Sequence, residues 1–446
     1  MMQKVAIINL GCPKNEVDAE KMAYLLNKND FTLLDNPAEA EIIIVNTCAF
    51  IQPAIEEAIE TILDLAYFKK KGCCRLLVVC GCLPQRYGME LADEIPEIDL
   101  LLGTDGFAEI VSAIRSYPDK PNQFGCHGRI GVPDYRSLHE IPQLTTHAGF
   151  SYLKIAEGCD NRCSYCMIPA IKGHQQSAPL QTLLKQAGQM IANGIREINL
   201  VAQDITAYGL DFSCTPQLTV LLRKLSSLPG LERIRLLYAY PHRISSELIN
   251  LIAEENKICK YLDLPVQHIS DSILKAMGRQ DCAADILRTV TSLKSEILGL
   301  YLRSTVIVGF PGETNDDFRQ LVDFVKQGFF DYLGAFTYWA EEGSRAANFP
   351  GQIADPLKEE RLQLLMEEQR KITEQRLRNE VGSIKKVLIE GLSRESDLLL
   401  QGRTSFQAPE IDGITYITEG EAEPGNLVDV EIYDSFDFDL FARIRD

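Results

Sequence analysis

Three cysteines in the middle of the chain constrain its fold and chemistry more than any other feature. Cys159, Cys163 and Cys166 follow a strand-like run, 150–156, and have the spacing C-x3-C-x2-C. Thiolates at this density select iron-sulfur clusters or zinc, but structural zinc sites prefer four ligands from two paired arms. The loop supplies only three ligands, so a four-iron cluster held here would keep one iron free. The motif therefore predicts a reactive cluster behind a strand.

The same loop, with an aromatic residue before its last cysteine, resembles the cluster loop of radical S-adenosylmethionine (SAM) enzymes. The resemblance implies that the free iron binds the amino and carboxylate groups of SAM. It also implies that electron transfer cleaves SAM to a 5′-deoxyadenosyl radical, so the cofactors supply the chemistry. We therefore expect the side chains to position the reactants, and we assign none of them a catalytic role.

Length and cysteine content set outer limits on the protein. A chain of 446 residues is long for one hydrophobic core, and two or three domains are expected. Thirteen cysteines behind a start without a signal-like segment favour a reducing compartment, with thiols as ligands or buried side chains. No apolar run reaches the roughly 18 residues of a membrane span. We expect a soluble, cytoplasmic protein.

The net charge of the chain restricts its partners. The formal charge is -18 and the isoelectric point is near 4.9. Proteins that bind nucleic acids place lysine and arginine against phosphates, so an acidic chain is a poor candidate for this role. A basic partner fits the charge better, and acidity that only confers solubility is the alternative.

The first 140 residues repeat one pattern three times: an aliphatic run, a turn with a cysteine, and a helix-like segment. Such runs indicate βαβ units in a parallel sheet that is buried on both faces. Loops at the carboxyl ends of parallel strands open on one edge of the sheet, so Cys12, Cys48 and Cys82 should converge. The runs are 5–10, 42–46 and 76–79, and the helix-like segments include 16–27 and 53–68.

The sequence around these three cysteines resembles the amino-terminal domain of methylthiotransferases. The matching segments are Gly-Cys-Pro-Lys-Asn at 11–15, Asn-Thr-Cys at 46–48 and Gly-Cys at 81–82. The resemblance implies that Cys12, Cys48 and Cys82 hold a second 4Fe-4S cluster with a free iron. The other cysteines of this region are expected to be structural: Cys80 in the body of a strand, and Cys73, Cys74 and Cys126 as thiols that match no ligand position.

Residues 145–378 follow a connection that is rich in proline and glycine, with Pro118, Pro121, Gly125, Gly128, Gly131 and Pro133. Six strand-like runs with helices between them then recur, at 152–156, 197–201, 234–238, 261–266, 304–308 and 333–338. Helices are expected from Pro179 to about Gly194, from about Thr314, and over 357–378. Six βα units fall short of a full eight-unit barrel. They resemble the partial (βα)6 barrel of radical SAM enzymes, whose side opening admits large substrates.

Active sites of such barrels lie at the carboxyl ends of the strands. That rule predicts one mouth shared by the cluster loop and the strand-end residues Gln203, Asp204, His242, Gln267, His268 and the segment 309–313. We expect Tyr165, Gln203 and Arg303 to contact the adenine or methionyl part of SAM. Gly309 would let the backbone approach the cofactor. His268 is expected to be a satisfied histidine at the end of a strand.

The last segment, 380–446, alternates short strands with glycine and proline. The strands, at 386–390, 398–401, 415–417, 427–433 and 438–444, predict a small antiparallel β-barrel that resembles the TRAM domain. The segment contains 15 acidic and 6 basic residues, which is half of the chain's net charge. A solvated acidic face explains part of this charge, but the concentration favours a basic protein partner.

These observations predict an α/β enzyme of three domains: a parallel α/β domain at 1–140, a partial radical SAM barrel at 145–378 and a TRAM-like barrel at 379–446. The segments 263–268, 402–404 and 407–410 look like the RimO type of methylthiotransferase. This resemblance implies two 4Fe-4S clusters, SAM as both methyl donor and radical source, an electron donor and a sulfur donor.

The RimO resemblance also implies a substrate and a reaction. The substrate would be a basic small-subunit ribosomal protein, the twelfth, methylthiolated on the β-carbon of an aspartate. A transfer RNA (adenosine) methylthiotransferase of the same fold is the alternative, although nucleic acid is an improbable substrate for so acidic a chain. A non-catalytic scaffold that only carries clusters is disfavoured, because two clusters with a free iron are badly built for storage.

Overall fold

The fold is described from a computed structural model, which covers residues 3–117, 133–396 and 398–445. Most of the predicted connection between the first two regions, with Pro118, Pro121, Gly125, Gly128, Gly131 and the thiol Cys126, lies outside the described residues. Three large sheets organise the rest of the chain. The domain limits at 140, 145 and 379 stay a prediction.

The amino-terminal region is a five-stranded sheet in which every pairing is parallel. Its strands are β1 (Lys4–Asn9), β2 (Thr32–Leu33), β3 (Ile42–Thr47), β4 (Leu76–Gly81) and β5 (Leu100–Leu102), in the order β2-β1-β3-β4-β5. The helices are α1 (Pro13–Lys28), α2 (Gln52–Lys71), α3 (Cys82–Tyr87), α4 (Met89–Glu94) and α5 (Ile110–Ser116). The predicted parallel sheet is confirmed, and the short edge strands β2 and β5 are additions to it.

The middle region is an open sheet of six parallel strands, as predicted for a partial barrel. Its strands are β6 (Phe150–Lys154), β9 (Glu197–Val201), β10 (Arg233–Leu236), β11 (Ile258–Asp263), β12 (Tyr301–Val308) and β13 (Tyr332–Thr337), paired in sequence order. β7 (Ala156–Glu157) and β8 (Gln176–Ser177) form a separate two-stranded sheet. The helices are α6 (Ile168–Lys172), α7 (Leu180–Ala192), α8 (Leu218–Ser226), α9 (Ser246–Glu254), α10 (Asp271–Ala276), α11 (Ala283–Glu296), α12 (Asn315–Val325) and α13 (Asp355–Arg378).

The carboxyl-terminal region is a closed five-stranded barrel. Its strands are β14 (Ile384–Leu392), β15 (Leu400–Arg403), β16 (Thr415–Glu419), β17 (Leu427–Phe436) and β18 (Asp439–Ile444). Four of the five pairings are antiparallel, as predicted. The pairing of β16 with β18 is parallel, and it closes the barrel.

The three sheets pack against one another through a shared apolar cluster and buried ion pairs. Val17 of α1, Tyr152 of β6 and Val387 of β14 belong to one hydrophobic cluster. Asp18 of α1 forms an ion pair with Lys154 of β6, and both side chains are buried. Buried charges are tolerated where they are paired, so these contacts fix how the first sheet sits against the second.

Two expectations about the whole chain can be compared with the structure. The twelve cysteines within the described residues are all free thiols, but Cys73 and Cys214 are exposed, so the expectation of ligands or buried thiols is wrong for these two. Across the same residues, no helix combines the length and the apolar character that crossing a membrane requires.

Candidate active site

One cavity brings together all six cysteines that the sequence predicts as cluster ligands. It has a volume of about 320 Å³ and lies at the carboxyl ends of the strands of both parallel sheets. Its other lining residues are Lys14, Asn15, Phe50, Asn161, Tyr165, Ile168, Lys172, Gln203, Tyr238, Ala239, Tyr240, Pro265, Gln267 and Arg279. The predicted convergence of Cys12, Cys48 and Cys82 is therefore present, and the second set of three thiols faces the same space.

Backbone turns of the first sheet place its three cysteines side by side. Cys12 lies in the turn after β1, and Cys48 and Cys82 directly follow β3 and β4. These three strands are adjacent in the sheet. Gly11 has a φ of +96°, and a Cβ at this position would lie 2.7 Å from the Cβ of Cys48. Gly81 has a φ of +97° and would clash in the same way with Thr47. Glycine is needed at both turns because only glycine permits this conformation and this close approach.

A buried polar network fixes the three turns to one another. The side chain of Asn15 donates to the carbonyl oxygens of Leu10 and Thr47, each at 3.0 Å. Asn46 donates to the Asn15 carbonyl oxygen at 2.8 Å, and the Thr47 hydroxyl donates to that of Cys80 at 2.7 Å. Satisfied buried networks of this kind are rigid, so the three thiols are held in fixed positions.

The second set of thiols lies on the loop that follows β6 and β7. The Cys159 amide donates to the Gly173 carbonyl oxygen at 3.1 Å, and the Ser164 amide donates to that of Met277 at 2.8 Å. The side chain of Asn161 is fixed by Asp204 at 2.9 Å and by Arg243 at 3.1 Å. These contacts anchor the loop at both ends and in its middle.

The chemistry of the thiols fits a cluster better than a single ion. Among the described residues, no three His, Cys, Asp or Glu side chains are arranged to hold one metal ion. Burial raises the pKa of Cys82 and Cys166 to about 12 and that of Cys159 to about 11. Metal binding to these thiols must therefore release protons. Two sets of three soft ligands, each spread around a pocket wall, suit polynuclear iron-sulfur groups.

Positive charge surrounds the thiols. The Lys172 ammonium donates to Glu157 at 2.8 Å and lies 3.8 Å from Asp18. Burial lowers the pKa of Lys172, but the nearby Glu157 and Cys82 outweigh this effect and raise it well above its usual value. Lys172 is therefore charged when buried beside Cys82. A cation at this place favours the thiolate form that a metal site needs.

Two of the four residues predicted at the SAM site, Tyr165 and Gln203, line the cavity. The Tyr165 ring packs edge-on against Phe310 at 6.4 Å, and Gln203 donates to Glu157 at 3.1 Å. The Oε1 atom of Gln203 is buried and has no hydrogen-bond partner within the part of the chain that the structure describes. Gln203 therefore has a free acceptor at the cavity wall.

The other two predicted contacts, Arg303 and Gly309, are not part of the cavity lining. Arg303 lies between Asp263 at 3.3 Å and Asp412 of the carboxyl-terminal barrel at 3.4 Å. Gly309 donates its amide to Glu313 at 2.8 Å, and a Cβ there would lie 2.4 Å from Lys358. Their contact with a cofactor stays a prediction.

Of the remaining strand-end residues, some line the cavity wall and others contact the residues that line it. Gln267 lines the cavity, whereas Asp204 holds Asn161 and Arg243, and His242 is exposed. The fully buried His268 accepts the amide hydrogen of Ser270 at 3.0 Å through Nδ1, but its Nε2 has no hydrogen-bond partner within the described residues, so only one ring nitrogen is satisfied as expected. Its Nε2 lies 3.6 Å from Glu313.

The sequence argument missed several wall residues. Tyr238, Ala239 and Tyr240 follow β10 directly, so the strand-end rule would have found them. Lys172 and Arg279 carry no such signal, because they come from or follow short helices. Tyr238 and Gln267 have φ values of +65° and +70°. Such conformations in residues other than glycine cluster at functional sites, which agrees with their place on the wall.

A larger groove, of about 690 Å³, lies at the opposite end of the six-stranded sheet. Its walls include Gly299 and Leu300 before β12 and Phe329 before β13, and none of its lining residues is a cysteine. Functional groups of such sheets lie at the carboxyl ends of the strands. The thiol-lined cavity is therefore the candidate site, although it is the smaller of the two.

Comparison with known protein families divides the chain as its sheets do. Residues 4–103 match the Uncharacterized protein family UPF0004, residues 153–325 match the Radical SAM superfamily, and residues 381–444 match the TRAM domain. Among solved structures, the radical S-adenosylmethionine methyltransferase TsrM from Kitasatospora setae is similar, with a TM-score of 0.56 and 16% identity. The match covers 76% of this chain and 75% of TsrM. At this identity the likeness concerns the fold alone.

Curated relatives match the chain over its whole length. The Ribosomal protein uS12 methylthiotransferase RimO of Geobacter sulfurreducens is 48% identical over 99% of this chain and 98% of its own. The proteins of the same name from Citrifermentans bemidjiense and Geotalea uraniireducens are 46% and 47% identical, with coverage of 98% or more. The chain is thus a radical SAM methylthiotransferase and belongs to the family named ribosomal protein uS12 methylthiotransferase RimO.

Proposed function

We propose that the enzyme transfers a methylthio group to the β-carbon of an aspartate in ribosomal protein uS12. The observation that carries this proposal is the single cavity whose wall holds two separate sets of three thiols. A reaction that joins sulfur and a methyl group to an unactivated carbon needs both sets to act on one substrate atom. A shared cavity meets this need.

Each set of thiols holds one 4Fe-4S cluster in this proposal, Cys159, Cys163 and Cys166 the first, and Cys12, Cys48 and Cys82 the second. SAM binds beside the first set, in contact with Tyr165 and Gln203. When bound, these groups supply one-electron chemistry, the methyl group and a site for the added sulfur. An electron donor must supply the electrons, and a sulfur donor must supply the sulfur that is added to the substrate.

The side chains of the cavity position and enclose the reactants. Gln203 offers its buried acceptor oxygen to a bound ligand, and Glu157 fixes the amide that carries it. Lys172 and Arg279 bring positive charge to a wall that holds six thiols. The wall is largely apolar otherwise, which limits the water that could quench a reactive species.

The charge of the carboxyl-terminal barrel favours a basic protein as the substrate. Its acidic side chains include Glu419, Glu421, Glu423 and Asp434, which are all exposed. Ribosomal proteins are basic because they bind RNA, so charge complementarity favours this partner over the RNA itself. A substrate of this kind places the enzyme in the cytoplasm.

One experiment tests the substrate. Purified enzyme, reconstituted with iron and sulfide without oxygen, is incubated with SAM and a reductant, in parallel with uS12 and with bulk transfer RNA. We expect the mass increase of a methylthio group on a uS12 aspartate and none on the RNA. Modified RNA with unmodified uS12 would contradict the proposal and favour the transfer RNA methylthiotransferase.

A further inference from the structure

The charges on the cavity wall are all of one sign. Lys14, Lys172 and Arg279 line the cavity, and no aspartate or glutamate is among its lining residues in the part of the chain that the structure describes. The chain as a whole carries a net charge of -18, so a wall with only cations is not a reflection of composition. The wall is suited to an anionic ligand.

Two of the three cations already have carboxylate partners. Lys172 donates to Glu157 at 2.8 Å, and Arg279 lies 3.7 Å from Asp281 and donates to the Pro265 carbonyl oxygen at 3.1 Å. Their charges are offset by groups behind the wall. Neither cation has to bind a ligand in order to be neutralised.

Lys14 differs from both. Its side chain is 8% exposed, and within residues 3–117, 133–396 and 398–445 it forms no ion pair with a carboxylate. Its ammonium lies 3.5 Å from the centre of the Tyr238 ring. A cation over an aromatic face is stabilised only modestly compared with a buried ion pair. Lys14 is therefore a nearly buried cation that lies over an aromatic ring, interacts with the nearby Cys12 and Glu157, and has no carboxylate in direct contact within the described residues.

The position of Lys14 on the cavity wall that also carries both thiol sets gives this charge a use. The residue lies two positions after Cys12 in the first sheet, and the ring beneath it belongs to the turn after β10 in the second. The backbone of Tyr238, at a φ of +65°, is held by an amide that donates to Asp263 at 3.0 Å. The ammonium is thus fixed where the two domains meet.

We propose that Lys14 binds the carboxylate of the substrate aspartate. This inference rests on the proposed function, because it takes the substrate to be an aspartate side chain. The β-carbon of aspartate is bonded directly to its carboxyl carbon. A cation that fixes the carboxylate therefore also fixes the carbon that reacts. A site built around such a charge also rejects the neutral amide, since asparagine would leave Lys14 buried without a counter-ion.

The test measures how strongly the enzyme distinguishes aspartate from asparagine. The target aspartate of uS12 is first identified as the residue that gains the methylthio mass. Dissociation constants are then measured, without oxygen and with both clusters reconstituted, for uS12 and for uS12 with asparagine at that position. The enzymes are the wild type, Lys14→Met, Lys14→Arg and, as a matched control, Lys28→Met. Lys28 lies on the same helix but is exposed.

We expect the wild type and Lys28→Met to bind the aspartate form about 10- to 100-fold more tightly, the range of a charge-assisted hydrogen bond. Lys14→Met should bind both forms equally, and Lys14→Arg should retain most of the preference. The iron content of Lys14→Met should equal that of the wild type.

Three results would overturn the inference: a wild type without preference, an undiminished preference in Lys14→Met, or loss of one cluster's iron from both Lys14 variants. The third result would mean that Lys14 offsets the charge of a cluster and does not bind the substrate. Each of them is compatible with methylthiolated uS12 from the wild type. Absence of that product would instead contradict the proposed function.

Discussion

Glu197 of β9 and Arg403 of β15 form a 2.9 Å ion pair that joins the six-stranded sheet to the carboxyl-terminal barrel. Glu197 is fully buried, and the Arg403 side chain is 2% exposed. Arg235 and Arg233 also approach Glu197, at 3.4 and 3.5 Å. Glu197 therefore faces three buried guanidinium groups at the junction of two domains, and Glu390 is a second carboxylate partner of Arg403.

Replacing Glu197 by glutamine should destabilise the protein strongly. The amide keeps the shape of the side chain but removes the carboxylate partner of the buried Arg233 and Arg235, while Arg403 keeps Glu390, and this loss costs about 3 to 5 kcal/mol. Asp316→Asn is the control, because its 2.7 Å pair with Arg319 is exposed and contributes at most about 1 kcal/mol. Urea unfolding of both variants measures the difference, and equal losses would contradict the prediction.

The iron content tests the two sets of ligands separately. Reconstituted enzyme should contain about eight irons per chain, and alanine at all three cysteines of either set should reduce this to about four. Cys80→Ala is the control for the first set. Cys80 is two residues from Cys82, but its thiol lies 3.7 Å from Met22 inside the sheet. Iron that stays at about eight after loss of Cys12, Cys48 and Cys82 would contradict a second cluster.

The two sets of thiols should also differ in function. Cys48→Ala should lose the methylthio product while the reductant-dependent release of 5′-deoxyadenosine stays measurable. Cys163→Ala should lose both, since its loop resembles the loop that cleaves SAM. Chromatography of the nucleoside and mass spectrometry of uS12 measure the two results. Release of 5′-deoxyadenosine by Cys163→Ala would show that the roles are assigned wrongly.

Much of the fold follows from patterns that are local in the sequence. The aliphatic run 42–46 predicted β3, because buried parallel strands are short and largely apolar, and the strand-like run 197–201 predicted β9 although it contains Glu197 and Asn199. The same rule placed Cys12, Cys48 and Cys82 on one edge. The strands β2 and β5, of two and three residues, are too short for such a pattern.

What the sequence could not provide is the contact between domains. The sequence predicts Arg303 as a contact to SAM, yet Asp412 of the carboxyl-terminal barrel takes part in neutralising it. Lys14 is an ordinary residue in its own sheet. Its ammonium contacts an aromatic ring only because Tyr238 of the next sheet packs against it. A local pattern carries no information on such pairs, since they depend on how the two sheets pack.

The stability of the enzyme should fall between pH 6.5 and pH 4 through His139. Burial, Lys21 and Lys154 lower the pKa of His139 to about 4. The unfolded chain then binds a proton below pH 6.5 that the folded protein does not accept, so the free energy of unfolding decreases as the pH falls. The loss is at most about 3 kcal/mol.

His139→Gln should remove this part of the pH dependence. Urea midpoints of the variant and the wild type, measured at intervals from pH 7 to pH 4, should shift in favour of the variant as the pH falls. An equal slope in the two proteins would contradict a role for His139. Carboxylates such as Asp317, whose pKa burial raises but hydrogen bonds from Ser270 and Thr314 lower to about 2, lose their contribution only at lower pH.

The acidic face of the carboxyl-terminal barrel should govern the affinity for uS12. The sequence alone suggests Glu419, Glu421, Glu423, Asp434, Asp437 and Asp439 as the acidic group. The structure narrows this set, because Asp437, which pairs with Arg370 at 3.1 Å, and Asp439, which accepts the Ile414 amide hydrogen at 2.7 Å, are both half-buried. The other four side chains are exposed and available to a partner.

Changing these four residues to lysine, one after another, should weaken uS12 binding in graded steps. Exposed ion pairs contribute about 0.2 to 1 kcal/mol each, so every substitution should cost up to a few-fold in affinity. The affinity of the wild type should fall as salt rises, and the fourfold variant should show a smaller salt dependence, because salt screens exposed charges. Titrations at several salt concentrations measure both.

The matched control, Lys at Glu359 and Glu360 of α13, changes exposed charge away from the barrel and should retain the wild-type salt dependence. Equal losses in both variants would mean that net charge, and not this face, attracts the substrate.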